Sequence, residues 1–270
     1  MPESGAARIA AAFESARDEG RAALMPYMVG GYPDHDAALA VAGAYAEGGA
    51  DLIELGVPFS DPLADGPVIH AAATAALAAG ATLDSTLEIC AAVAGRVPVL
   101  LMAYSNMVLA RGPEAFAAAA AEAGAAGAIV PDLSFEESPG IREALAAAGL
   151  ALVPLVAPTT SAERRARICE AASGFVYVVS LVGVTGERGE LPAELAGLVA
   201  TVREEAPVPA AVGFGIGTPE QAASVGEIAD GVIIGSRLVR EVGEASGAEE
   251  AAARARGFLE ACRDAMAPVR

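Results

Sequence analysis

Glu54, Asp61 and Asp65 are concentrated in the stretch 51–67, DLIELGVPFSDPLADGP, where a short apolar run opens into a loop stiffened by Pro58, Pro62, Gly66 and Pro67. Read as a strand, residues 51–55 alternate with period two. Ile53 and Leu55 then share one face while Leu52 and Glu54 share the other, so an acid points the same way as an apolar side chain. Asp65 follows on the loop, in a different environment from Glu54. Two carboxylates in unlike surroundings are what paired acid and base chemistry requires. On this stretch alone a second reading stays open, with Glu54 a surface acid at a strand edge and both aspartates turn residues.

Composition narrows the chemistry. All 17 basic residues are arginine, so no lysine is available for a Schiff base or as an acid. Only His35 and His70 could supply imidazole, and they read as a helix start and a helix surface rather than as ligands. Cys90, Cys169 and Cys262 lie 79 and 93 residues apart in apolar contexts, without zinc spacing, and their odd number disfavours a disulfide framework. Metal ligation is therefore not expected, and the thiols fit a reducing compartment. The formal net charge of −18 argues against nucleic acid or an anionic membrane as partner, so an anionic ligand would need a local site. The first twenty residues mix acids with arginine and lack the apolar segment of a signal peptide. The longest uncharged run, 144–162, is interrupted by Gly149, Pro154 and Pro158. A cytoplasmic protein is expected.

The elements that must hold these residues come from the apolar runs at 24–29, 52–55, 97–102, 128–130, 150–156, 175–180, 208–212 and 231–234. Helical spacing separates them, clearest at Leu195, Leu198, Val199 and Val202. Eight strands alternating with helices predict a parallel (β/α)8 TIM barrel, and 270 residues suit one such domain, 1–270. A helix over 6–17 precedes the first strand and would close the barrel's bottom. Strand starts fall 22 to 33 residues apart except between the second and third, where the gap is 45. That gap holds the loop 56–67 and two helices, near 68–79 and 84–94. A second enlarged loop, LVGVTGERGEL at 181–191, follows strand six. Active sites of this fold lie at the C-terminal ends of the strands, so both enlarged loops belong to the functional face.

That face also carries an anion signal. After strand seven comes GFGIGTPEQ, with Gly213, Gly215 and Gly217, Thr218 as helix cap, Pro219 at the first helical position and Gln221 closing a capping box. Gly235 and Ser236 open a helix after strand eight. Backbone N–H groups at such helix starts bind phosphate without any lysine, and barrels often place a phosphate between loops seven and eight. Tyr27, Tyr104 and Tyr177 lie on or just beyond apolar strands, where packing is the usual role of an aromatic ring.

Taken together, LIELGVPFSDPLADGP, PYMVGGYPD, LMAYSNMV, VPDL at 130–133, YVVSLVGVTG, GFGIGTPEQ and GVIIGS resemble the tryptophan synthase alpha subunit family over residues 25–239. The resemblance implies reversible retro-aldol cleavage of indole-3-glycerol phosphate, with Glu54 and Asp65 as the catalytic pair. It implies Tyr177 beside Glu54, Phe214 near the indole ring, and Gly186, Gly215, Gly235 and Ser236 at the phosphate. It implies no cofactor in this chain, and docking of the loop around Pro58 and Asp61 on a pyridoxal-phosphate beta subunit in an alpha-beta-beta-alpha complex. Leu181 departs from the arginine often found there in the family. A free-standing indole-releasing lyase and a silent barrel that only activates a beta subunit are the competing expectations.

Overall fold

The computed structural model describes residues 3–179, 193–213 and 215–267. Its strands are β1 (Ala23–Val29), β2 (Ile53–Gly56), β3 (Val99–Met102), β4 (Gly127–Ile129), β5 (Ala151–Val153), β6 (Leu155–Val156), β7 (Val176–Val179), β8 (Ala210–Gly213) and β9 (Gly231–Ile234). All neighbours pair in parallel, in the order β5-β4-β3-β2-β1-β9-β8-β7-β6. The two ends of that order are separated in the chain by Pro154 alone, which closes the sheet into the expected barrel. The single fifth strand expected over 150–156 is thereby divided in two. Proline has no N–H for the ladder, so β5 pairs with β4 and β6 with β7, while the Pro154 carbonyl still accepts from the Tyr177 N–H at 2.9 Å.

The helices are α1 (Gly5–Asp18), α2 (His35–Glu47), α3 (Pro67–Ala78), α4 (Leu83–Val93), α5 (Ser105–Arg111), α6 (Pro113–Glu122), α7 (Pro139–Ala147), α8 (Ala162–Glu170), α9 (Ala193–Glu205), α10 (Pro219–Gly226), α11 (Ser236–Gly243) and α12 (Ala248–Met266), with a 3-10 turn at Phe135–Glu137. The pair expected after the second strand is α3 and α4. A further division, between α5 and α6, was not legible from periodicity; it falls at Gly112, whose φ of 89° only glycine adopts readily. No single helix among the described residues is long and apolar enough to cross a membrane.

Two apolar layers follow from strand alternation. Ile53, Leu55, Val99 and Leu101 face outwards beneath the helices, whereas Leu52, Leu100, Met25, Phe175 and Ala211 fill the barrel interior. The lower opening is stoppered by α1, as expected. Its Ile9 and Phe13 join the interior cluster, the Phe13 and Phe175 rings lie 5.7 Å apart, and a Cβ at Gly231 would come within 2.9 Å of the Phe13 ring. Arg8 ties the helix down by donating to the carbonyls of Gly124 and Ala94.

The same end holds a buried ion pair. Arg21, with a side chain only 3% exposed, makes a forked contact with Asp51 at 2.5 and 2.9 Å. Asp51 also accepts from the Leu24 N–H at 2.7 Å, tying the start of β1 to the residues before β2. Arg21 also pairs with Glu19 at 2.9 Å, so removing Asp51 leaves the guanidinium partly compensated but takes away its forked partner and the acceptor of the Leu24 N–H, which costs about 1–3 kcal/mol. Asp51→Ala should therefore lower the urea midpoint by that equivalent with an unchanged denaturant slope.

Candidate active site

At the C-terminal end of the strands a cavity of about 200 Å³ enters the barrel. Glu54, second in β2, shares the inward face with Leu52 and is only 3% exposed. The ladder sets Tyr27 of β1 directly beside it, and Tyr177 of β7 lines the same cavity. These rings need room that a Cβ would take. At Gly56 a Cβ would fall 2.3 Å from the Tyr27 hydroxyl oxygen, and at Gly213 one would fall 2.5 Å from that of Tyr177. Two glycines therefore admit two tyrosines around one acid.

Asp65 reaches the cavity from the loop before α3. Its place is set from β3: Tyr104, buried at the start of α5, hydrogen-bonds the Asp65 carboxylate, while its hydroxyl oxygen accepts from the Ala64 N–H at 3.0 Å. The Tyr104 ring stacks on Phe59 of the same loop, centroids 5.2 Å apart. Ser105, next along, donates through its N–H and hydroxyl to Asp132 at 2.8 and 2.7 Å, joining the segments after β3 and β4. Asp65 also precedes the α3 N-terminus, where the helix dipole favours negative charge.

The two acids are electrostatically unlike. Burial first, and the Asp65 charge second, push Glu54 from the ordinary 4.5 up to about 8, so it is largely protonated at neutral pH. Burial also raises Asp65, but the Tyr104 hydrogen bond and the His70 charge oppose the rise. Tyr27 and Tyr177 are held well above the usual phenol range by burial and by both carboxylates, which keeps them neutral. The arrangement pairs a proton donor with a carboxylate across one small apolar cavity, whose lining includes Ile69, Met102, Leu155 and Ile233.

Gly215, Gly235 and Ser236 line this cavity as well. Gly215 has a φ of 51°, and Gly235 caps α11 with Ser236 at its first position. Thr218 caps α10 by accepting from the Gln221 N–H at 3.3 Å. The Gln221 side chain reaches one residue further back than a capping box requires, accepting from the Gly217 N–H at 2.7 Å, so it also fixes the glycine turn. Gly186 and Phe214 lie outside the described residues, as do Leu181 and the loop after strand six. Asp61 is exposed and accepts from the Ser60 hydroxyl, whereas Pro58 is buried within the chain.

His35 starts α2 with Asp34 as its cap, and His70 is exposed in the first turn of α3. Among the described residues no three His, Cys, Asp or Glu side chains converge as metal ligands. Tyr104 is the site residue that sequence reasoning passed over in favour of packing. Its ring does pack, and its hydroxyl serves the loop that carries Asp65.

A carboxyl group with a raised pKa binds a proton in the folded state that it lacks when unfolded, so its contribution to stability falls as pH rises from about 4.5 to about 8. Glu54→Gln removes that liability. The variant should be more stable than the parent by a few kcal/mol at pH 8, the gap shrinking towards zero near pH 4.5, as checked by thermal unfolding across that range.

A family model described as tryptophan synthase alpha chain matches residues 13–267. The tryptophan synthase alpha chain of a Synechococcus strain is 47% identical over 249 residues, 91% of this chain and 93% of the relative. That of Halorhodospira halophila is 46% identical over 263 residues, 96% of each chain. Among solved structures, Mycobacterium tuberculosis tryptophan synthase superposes with a TM-score of 0.90 at 37% identity, covering 99% of this chain and all of the other. The tryptophan synthase alpha subunit of Legionella pneumophila gives a TM-score of 0.87 at 37% identity, with 96% and 98% covered. A match of this extent, on a barrel whose mouth gathers Glu54, Asp65 and the glycine turns, makes the chain a member of the tryptophan synthase alpha chain family.

Proposed function

We propose that this chain is a carbon–carbon lyase that cleaves indole-3-glycerol phosphate reversibly to indole and glyceraldehyde 3-phosphate, with Glu54 and Asp65 as its catalytic pair. The observation that carries the reading is a buried, protonated Glu54 and a less buried Asp65 facing one cavity whose lining also offers glycine amides. Glu54 gives its proton to indole C3, and the positive charge that develops spreads to the ring N–H, which donates to the Asp65 carboxylate. The Glu54 carboxylate then takes the proton of the hydroxyl on the carbon bonded to C3. That oxygen becomes the aldehyde carbonyl, the C–C bond breaks, and its electron pair returns to the ring. The net result moves one proton from the glycerol hydroxyl to indole C3 and leaves Glu54 as it began. With no lysine in the chain, a Schiff-base route is closed.

The phosphate would rest on the backbone N–H groups of Gly215, Gly235 and Ser236, the α11 N-terminus adding its dipole. Tyr177 packs beside Glu54, and the family resemblance adds Phe214 at the indole ring and Gly186 at the phosphate. No cofactor of its own belongs to this reading; pyridoxal phosphate belongs to the beta partner. That partner would dock on the face carrying Asp61, where Leu63 is 86% exposed and Leu109, on α5, 59%. Exposed apolar side chains of this size are typical of interaction surfaces. Cytoplasmic residence fits the three buried free thiols.

Indole release from indole-3-glycerol phosphate tests the chemistry. Glu54→Gln should reduce turnover at least about a hundredfold in a folded protein, and the parent's activity should decline above about pH 8 as Glu54 loses its proton. Near-normal turnover by the folded variant would remove Glu54 from its role.

Mixing with a beta subunit tests the partner. Turnover of the isolated chain should be low and rise by about tenfold or more in the complex as the loops over the site close. Asp61→Ala should abolish most of that rise. Equal turnover with and without the partner would identify a free-standing lyase, and no turnover in either state a silent barrel.

A further inference from the structure

A second cavity, of about 230 Å³, lies outside the barrel against α7 and α8 and plays no part in the proposed reaction. Pro131 and Leu155 line both cavities and so form the wall between them. The side cavity has an apolar lining from Leu133, Leu152 and Ile168 and an aromatic one from Phe135.

Its polar lining is largely engaged. The Ser134 hydroxyl donates to Glu137, that of Ser138 to the Phe135 carbonyl, and Thr160 accepts from the Ala157 N–H. Arg164 pairs with Glu136 at 2.7 Å. Arg142 is different. It is half-buried, its guanidinium lies 5.8 Å from the Phe135 ring centroid, and no carboxylate of the described residues pairs with it. Arg167, itself exposed, lies 5.4 Å from the same centroid and outside the cavity lining. Of the two arginines in the cavity lining, Arg164 is paired and Arg142 is the cation left without an ion pair among the described residues.

We propose that this cavity binds a small carboxylate bearing a single aromatic ring. The ring would lie against Leu152, Ile168 and Phe135, and the carboxylate would meet the planar fork of Arg142. The volume falls below that of pockets for drug-sized ligands and suits a one-ring acid.

The test is a methyl NMR titration of the full chain with phenylacetate and, as its neutral counterpart, phenylacetamide. Phenylacetate should give saturable shifts at the methyls of Leu133, Leu152 and Ile168 and bind about tenfold more tightly than the amide, the scale of one charge-assisted hydrogen bond. Arg142→Met should erase that preference, and Arg142→Lys should keep part of it. Equal binding of acid and amide by the parent chain would overturn the proposal, as would shifts confined to Ile69 and Ile233 of the central cavity, or no saturable shift at millimolar acid. A folded Arg142→Met protein that still prefers the acid would overturn it too. The acid–amide comparison uses the unaltered chain, so it decides the matter even if a variant does not fold. Every readout is binding, independent of the reaction proposed above.

Discussion

A parallel sheet closed on itself leaves every second side chain of every strand nowhere to go but inwards. Around β2 that constraint places Leu52, just before the strand, in the packed interior and carries Glu54 one layer higher, to the mouth, with no way to turn the acid outwards short of moving Ile53 and Leu55 from beneath the helices. The high pKa of Glu54 follows directly. It arises from burial first, with the neighbouring Asp65 charge adding to it. The surrounding construction serves the same constraint: Tyr27 on the adjacent β1 and Tyr177 on β7 line the same cavity, and Gly56 and Gly213 are small because those rings must fit.

The two ends of the barrel divide the work. At the lower end α1 fills the opening with Ile9 and Phe13, and the Arg21–Asp51 pair joins the starts of neighbouring strands in a nearly dry setting. At the upper end the strands run into loops and helix starts, where glycine turns expose backbone N–H groups and a tyrosine from one stave steadies the acid-bearing loop of the next. Such a division lets the chain keep a large negative charge and still receive an anion. In the proposed site, backbone dipoles and amides would attract it locally, while the net charge acts over the whole surface.

Much of this was legible in the chain itself. The period-two pattern around Glu54, the excess length after the second strand, and the glycines before Thr218 each carry a local rule that tertiary packing did not override. Other features were out of reach for equally physical reasons. Pro154 lies in a run apolar enough for one strand, and only the ladder shows that its missing N–H falls where the pairing changes from β4 to β7. Tyr104 reads as a packing residue because an aromatic after an apolar strand usually is one. Its second role depends on a loop forty residues earlier in sequence. The Gln221 side chain obeys the capping pattern in type but bonds one residue further back.

By itself the sequence determined the barrel, the face that Glu54 shares with Leu52, the absence of lysine chemistry and the family motifs, because alternation, composition and turn residues act over a few neighbouring positions. Only the tertiary structure decided how acidic each carboxylate is, which side chains hold Asp65, and that Arg142 borders a cavity where no acid of the described residues meets it. Those properties depend on burial and on charges brought together from distant parts of the chain. No local pattern encodes how much water remains around a group once the barrel has closed.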